Sequence, residues 1–344
     1  MTACLGGFPP VGSASTSMRT VFLEADDAGV RRGAEVIRAG GLVAFPTETV
    51  YGLGADALSG LAVARIFEAK ERPRGNPLIV HLASAAALES IAARVPRRAR
   101  DVAARFWPGP LTLVLPRAGA VPLITTGGLE TVAARVPSHP VARALIEASG
   151  RPIAAPSANR SGWPSPTRAE HVRDDLDGRI ELILDGGPTP VGVESTVLDM
   201  TTEPPMLLRP GGVTLEDLKD CLGEVDVFGS DHEEAAGRSP GLRYRHYAPR
   251  ARVLIVEAGT GERVVVPWLE AGRPVALMTQ RPVFLERPGL QVKIMPGDLV
   301  AYARELFAAL RELDSTGVEG IFVEAVTQEG MGLTIMDRLR RAAS

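Results

Sequence analysis

Two cysteines in 344 residues, Cys4 and Cys221, supply neither a disulfide framework nor the paired spacing of a structural zinc site. A reducing, cytoplasmic setting is therefore expected. No apolar run approaches the ~18 residues of a membrane span, because charges, glycine or proline break each one. The chain is expected to stay out of the membrane. Charge of one sign is not in excess: 38 Lys and Arg face 41 Asp and Glu for a net of -3, so any polyanion would be held by local clusters rather than a global field. The phosphate loop GxxxxGK[ST], a helix-opening GxGxxG, the zinc helix HExxH and the nucleophile elbow GxSxG are all missing, which removes weight from the standard nucleotide-binding and hydrolase folds. Aromatic residues make up only 5%, while Gly (36) and Pro (28) abound, as in a chain of short elements joined by tight turns.

The length suggests roughly two domains of ~150 residues. Residues 1–20 begin with a stretch that has no basic residue before Met18 and no sustained apolar core; they read as a flexible leader, with Met18 an alternative first residue. From 21 to 222, helical spacing over Ala28–Ala39, Leu61–Lys70, His139–Ser149 and Arg168–Leu176 mixes with strands at Leu42–Phe45, Leu78–Leu82, Leu111–Leu115, Thr131–Val136, Ile180–Asp185 and Ser195–Asp199. Ala85–Phe106 reads as helical material broken at Pro96. The mixture lacks strict alternation and predicts an α/β chain of the α+β type with a mixed sheet. Residues 223–250, rich in Gly, Ser and charge, read as a linker. Residues 251–344 alternate predicted strands (Val253–Val256, Val264–Val266, Val275–Met278, Val292–Ile294, Ile321–Glu324) with helices at Asp298–Leu313 and Gly330–Arg341, which predicts a smaller, Rossmann-like parallel sheet.

The chemistry-bearing residues sit at strand ends and turns. Pro46-Thr-Glu-Thr-Val-Tyr-Gly-Leu-Gly54 offers hydroxyls and a carboxylate beside glycines that allow close approach, although a plain polar turn would look the same. Lys70, Arg72 and Arg74 fan from a Pro-punctuated corner, as an anion site or a solvated cluster would. His81 lies in an apolar strand, where a core histidine is the commoner outcome. Thr131 and Arg135, four apart, share one face of a strand, and an arginine buried there needs an anion, from the protein or from a ligand. Ser157, Asn159 and Ser165 belong to a hydroxyl- and amide-rich loop; Ser195 opens a strand without His or Asp partners at triad spacing, and Arg209 closes another. Cations, many neutral donors and no metal cage suit a reaction in which a triphosphate is neutralised and positioned, with Mg2+ arriving on the nucleotide.

In this order the segments PTETVYGLG, KERPRGNPLIVH, WPGPLTLVL, ETVAARVP, PSANRSGWPSPT, VESTVLD and LLRPG closely resemble the YrdC-type family of threonylcarbamoyl-AMP synthases, over residues 28 to 214. Ser239-Pro-Gly-Leu-Arg-Tyr-Arg-His-Tyr-Ala-Pro249 resembles the linker of the two-domain form. The resemblance implies an enzyme that condenses L-threonine, bicarbonate and ATP, carrying Mg2+, into threonylcarbamoyl-AMP and pyrophosphate. The product would feed the machinery that modifies tRNA beside the anticodon. It also implies Lys70 and Arg72 as catalytic residues, and Thr49, His81, Arg135 and Ser195 around threonine. Arg72, Asn76, Thr131, Ser157, Ser165, Arg209 and Tyr247 would lie on the ATP side, with Tyr247 closing over the nucleotide as part of a lid. Two departures stand out: Glu71 replaces a glycine frequent in the family, and Ala155 stands where many members carry threonine, so no side-chain role follows for Ala155. Related carbamoyltransferases of hydrogenase maturation add zinc fingers that two cysteines cannot build. An RNA-binding module on the same concavity is the other alternative, and RNA binding is expected to be weak.

Overall fold

The computed structural model describes residues 18–228 and 247–344. The first seventeen residues of the expected leader and 229–246 of the expected linker lie outside these. Eleven strands among the described residues form the first sheet: β1 (Val21–Glu24), β2 (Val43–Pro46), β3 (Tyr51–Asp56), β4 (Ile79–His81), β5 (Leu111–Pro116), β6 (Thr131–Arg135), β7 (Ile153–Ala154), β8 (Leu182–Asp185), β9 (Thr196–Asp199), β10 (Met206–Arg209) and β11 (Asp226–Val227). Their order is β1-β8-β2-β3-β7-β4-β6-β5-β9-β10-β11. Parallel pairs such as β4 with β6 occur beside antiparallel ones such as β2 with β3, so the sheet is mixed as expected. Helices α1 (Asp27–Arg38), α2 (Gly60–Lys70), α3 (Arg97–Phe106), α4 (Pro140–Ser149), α5 (Ala169–Leu176) and α6 (Leu215–Leu222) accompany it.

Local signals account for several boundaries. Asp26 and Ser59 cap α1 and α2 through the Gly29 and Ala62 amides, and Thr214 with Asp217 forms a capping box on α6. The turn read from PTETVYGLG is confined to Thr47–Val50; Tyr51 onward is strand β3, paired antiparallel to β2. β11 extends the sheet from within the stretch read as linker.

The second sheet is all parallel: β12 (Arg252–Val256), β13 (Val275–Thr279), β14 (Leu290–Ile294) and β15 (Gly320–Glu324) in the order β12-β15-β13-β14. Helices α7 (Gly261–Glu270), α8 (Leu299–Ser315) and α9 (Met331–Ala343) cover it, giving the smaller α/β domain. The strand expected at Val264–Val266 is instead part of α7. Its β-branched run suggested extended chain, but Gly261, Val265, Trp268 and Leu269 follow helical spacing, with Val265 and Trp268 packed against Leu277 and Phe322. Tertiary burial overrides propensity there.

One apolar cluster joins the two parts: Val50 and Val193, in turns of the first, pack with Tyr247, Tyr302, Leu306, Phe307 and Ile335. Gly192 marks a close approach. Its φ is +80°, and a Cβ there would stand 2.3 Å from Cα of Arg304, so only glycine lets α8 lie against this turn.

Candidate active site

Strand ends β2, β4, β6, β9 and β10 open into a cavity lined by Thr49, Arg72, His81, Arg135, Ser157, Glu194, Ser195, Arg209 and Tyr247, among others. Register does much of the assembly. In the parallel β4–β6 ladder His81 stands opposite Arg135, so both side chains reach the same end of the sheet. The Thr47–Val50 turn supplies the next wall. Thr47 Oγ1 donates to the Val50 carbonyl at 2.7 Å, so the Thr49 hydroxyl is the donor in the 2.8 Å contact between the two threonines. Arg135 Nη1 then donates to Thr49 Oγ1 at 2.9 Å.

Arg135 is 3% exposed, and its Nη2 lies 2.8 Å from a Glu48 carboxylate oxygen. That distance makes an ion pair, yet neither Nη2 nor Nε has a hydrogen bond, and neither do the Glu48 oxygens. The charge is balanced while two donors of the guanidinium keep their hydrogen-bonding capacity. His81 is fully inside: burial first, then the charge of Arg135, lowers its pKa to about 3. Its Nδ1 lies 3.2 Å from the Ile79 carbonyl, which can only accept, so Nδ1 carries the proton and Nε2 is left as acceptor.

The opposite wall is built around Ser195 and Arg209. Arg209 donates from Nε and Nη2 to the Ser195 carbonyl at 3.1 and 2.9 Å, and Ser195 Oγ shares a 2.8 Å hydrogen bond with Thr112. Gly211, in the LLRPG turn, comes so close to this strand that a Cβ would lie 2.2 Å from the Thr196 amide nitrogen. Ser157 Oγ donates to Asn159 Oδ1 at 2.5 Å. Tyr247 is buried, stacks on Phe307 with ring centroids 5.2 Å apart and adopts φ +64°, a conformation side chains of its bulk rarely take.

Four of the residues named from sequence do not line this cavity. Lys70 is 1% exposed and turns its amine to the Ser157 carbonyl at 2.6 Å and to the Asn159 carbonyl. Burial and then the charge of Arg72 hold that amine well below the ordinary lysine range. Ser165 is fully buried and donates to Glu194 Oε1. Asn76 is buried in the 72–77 corner with Nδ2 lacking a hydrogen-bond partner. Thr131 starts β6 opposite Pro116; it shares a face with Arg135, but four residues of strand put them ~13 Å apart. Glu48 and Glu194 are not among the site residues read from sequence; the available signal was a carboxylate next to hydroxyl residues, Glu48 between two threonines and Glu194 before Ser195-Thr196.

Residues 35–211 match the family model described as telomere recombination, Sua5/yciO/yrdC, and residues 213–344 match the threonylcarbamoyl-AMP synthase C-terminal domain. The chain is 50% identical over 324 residues to the threonylcarbamoyl-AMP synthase of Pyrococcus abyssi, covering 91% of this chain and 94% of that one. The Bacillus subtilis threonylcarbamoyl-AMP synthase is 47% identical over 332 residues, covering 93% and 94%. The crystal structure of Pyrococcus abyssi Sua5 complexed with L-threonine superimposes with a TM-score of 0.90 at 47% identity, over 94% of this chain and 98% of that one.

Proposed function

The chain belongs to the threonylcarbamoyl-AMP synthase family in its two-domain form, and from that premise we propose how its residues carry out the synthesis. The carrying observation is Arg135: a buried guanidinium whose Nε and Nη2 lack hydrogen bonds, beside a neutral imidazole, in the same cavity as Arg209. Such a group suits the carboxylate of L-threonine through paired charge-assisted hydrogen bonds. Thr49, already oriented by Thr47 and Arg135, and Nε2 of His81 would accept from the amino acid's polar hydrogens. His81 remains neutral near pH 7 and too weak a base to hold a proton there, so it orients the amine rather than deprotonating it.

ATP would lie along Arg72, Ser157 and Arg209, with Ser195 on the threonine side and Tyr247 closing the mouth as a lid. The threonine ammonium loses a proton to solvent, and the resulting amine with bicarbonate gives a carbamate and water. A carbamate oxygen then bonds to the α-phosphorus as the bond to the bridging oxygen breaks, releasing pyrophosphate and leaving threonylcarbamoyl-AMP. The chain's part is to position and to neutralise charge. Among the described residues no group of three His, Cys, Asp or Glu could hold a metal. Mg2+ would come with the triphosphate and would supply charge neutralisation for the leaving group.

Lys70 would act from behind, bracing the Ser157–Asn159 loop, and Ser165 and Asn76 likewise support the wall rather than touch nucleotide. The adenylate would pass to the enzyme that transfers threonylcarbamoyl to tRNA, in the cytoplasm. Among the described residues no helix is long and apolar enough to cross a membrane. The test is incubation with labelled bicarbonate, ATP, Mg2+ and threonine. A threonine-dependent labelled adenylate is expected, with loss in Arg72→Ala and Arg209→Ala; label incorporation independent of threonine would overturn the reading.

A further inference from the structure

Resting on that reading, we propose that Arg338, on α9 of the second domain, is a positioning residue for the nucleotide side of the cavity, acting through Glu194 and the Pro210 carbonyl. Arg338 is 1% exposed and does not line the cavity. Its Nε donates to Glu194 Oε2 at 2.7 Å and its Nη2 to the Pro210 carbonyl at 2.9 Å, while Nη1 engages Asp337. One turn earlier on the same helix, Thr334 Oγ1 donates to the Gly211 carbonyl at 3.0 Å. The helix therefore grips both the Glu194 strand entry and the Arg209–Gly211 turn.

Glu194 is the reason this grip matters. It lines the cavity between Ser195 and the loop of Ser165, whose hydroxyl donates to its other oxygen. A bare carboxylate on a wall that faces a triphosphate would repel it. Paired with Arg338, and with Arg209 nearby, the same carboxylate becomes a neutral strut that fixes the Ser165 loop. Burial alone would raise the Glu194 pKa, but Arg338 and Arg209 outweigh it and keep the group ionised. The guanidinium also lies 5.5 Å from the ring centroid of Tyr247, within cation–π range. The second domain thus shapes the ATP side of the site without contributing a group that touches ATP.

The full-length chain tests this by KM for ATP and for threonine, followed through pyrophosphate release. Arg338→Met leaves Glu194 buried and unbalanced, so KM for ATP is expected to rise about tenfold or more with KM for threonine within about twofold. Arg338→Lys keeps the charge but loses the fork and should fall between. The double variant Glu194→Gln with Arg338→Met removes the orphan charge and should recover most of the ATP affinity. Equal rises in both KM values for Arg338→Met would overturn the proposal, as would a double variant no better at binding ATP than the single one. Should Arg338→Met fail to fold by circular dichroism, the lysine and double variants carry the same comparison. Wild-type chain without threonine-dependent pyrophosphate release would instead remove the underlying reading.

Discussion

Arg135 and Glu48 stand 2.8 Å apart as a buried ion pair that is not a hydrogen bond. The pairing neutralises the guanidinium without consuming its donors, which is what a site needs if it is to stay folded when empty and still bind an anion. Replacing Arg135 by Lys keeps one charge and loses the planar fork. KM for threonine should rise ~10–100-fold, the worth of a charge-assisted hydrogen bond at ~1.5–3 kcal/mol, with KM for ATP little changed. Steady-state kinetics in both substrates checks it; an unaltered threonine KM would place the carboxylate elsewhere. Glu48→Ala, which strands the arginine, should cost ~3–5 kcal/mol of stability in denaturant titration.

Lys70 holds two backbone carbonyls of the 157–159 loop from the end of α2. Lys70→Met preserves most of the stem's apolar packing and removes the donor, leaving those carbonyls unsatisfied. The expected result is a stability loss of ~1–3 kcal/mol together with weaker ATP binding, since Ser157 moves with the loop. A variant with wild-type stability and no catalysis would instead show that the amine acts on substrate directly.

Histidines lowered by burial give the fold an acid response, His139 among them, where burial acts against the charge of Glu48. His81 titrates at about 3 and His171 at about 4, each lowered from 6.5 chiefly by burial, with Arg135 adding to the first and Arg311 and Arg168 to the second. Below pH 6.5 the unfolded chain therefore binds protons that the folded chain refuses. Stability is full above 6.5 and declines as pH falls toward 4 and then 3. Thermal melts between pH 7 and 5 should show this slope, and His171→Gln, which can still accept from the Thr167 amide as Nδ1 does at 3.3 Å, should make it shallower. An unchanged slope in that variant would mean His171 is hydrated in the native state.

Much of the site was legible because its residues are local punctuation. Thr49, His81, Arg135, Ser157, Ser195 and Arg209 stand at or next to strand ends that can be read from alternation and turn residues, Arg72 follows the end of helix α2, and all line the cavity. Lys70 and Ser165 looked the same in the sequence. A position at the end of an element or in a turn tells that a polar side chain is near the cavity, not whether it faces inward or back into the loop behind it. The valines of α7 misled for a related reason: β-branching is a weak preference, decided by what the face packs on.

By itself, the order of residues determined the two α/β domains, the polar turns and a cysteine content too low for a disulfide framework or a paired zinc spacing. Only the tertiary structure decided that His81 is neutral, that Arg135 keeps donors in reserve and that Arg338, 144 residues from Glu194, balances it. Those properties depend on burial and on distances of a few ångströms between segments far apart in the chain. Desolvation and Coulomb energy vary steeply over such distances, and sequence spacing does not encode them.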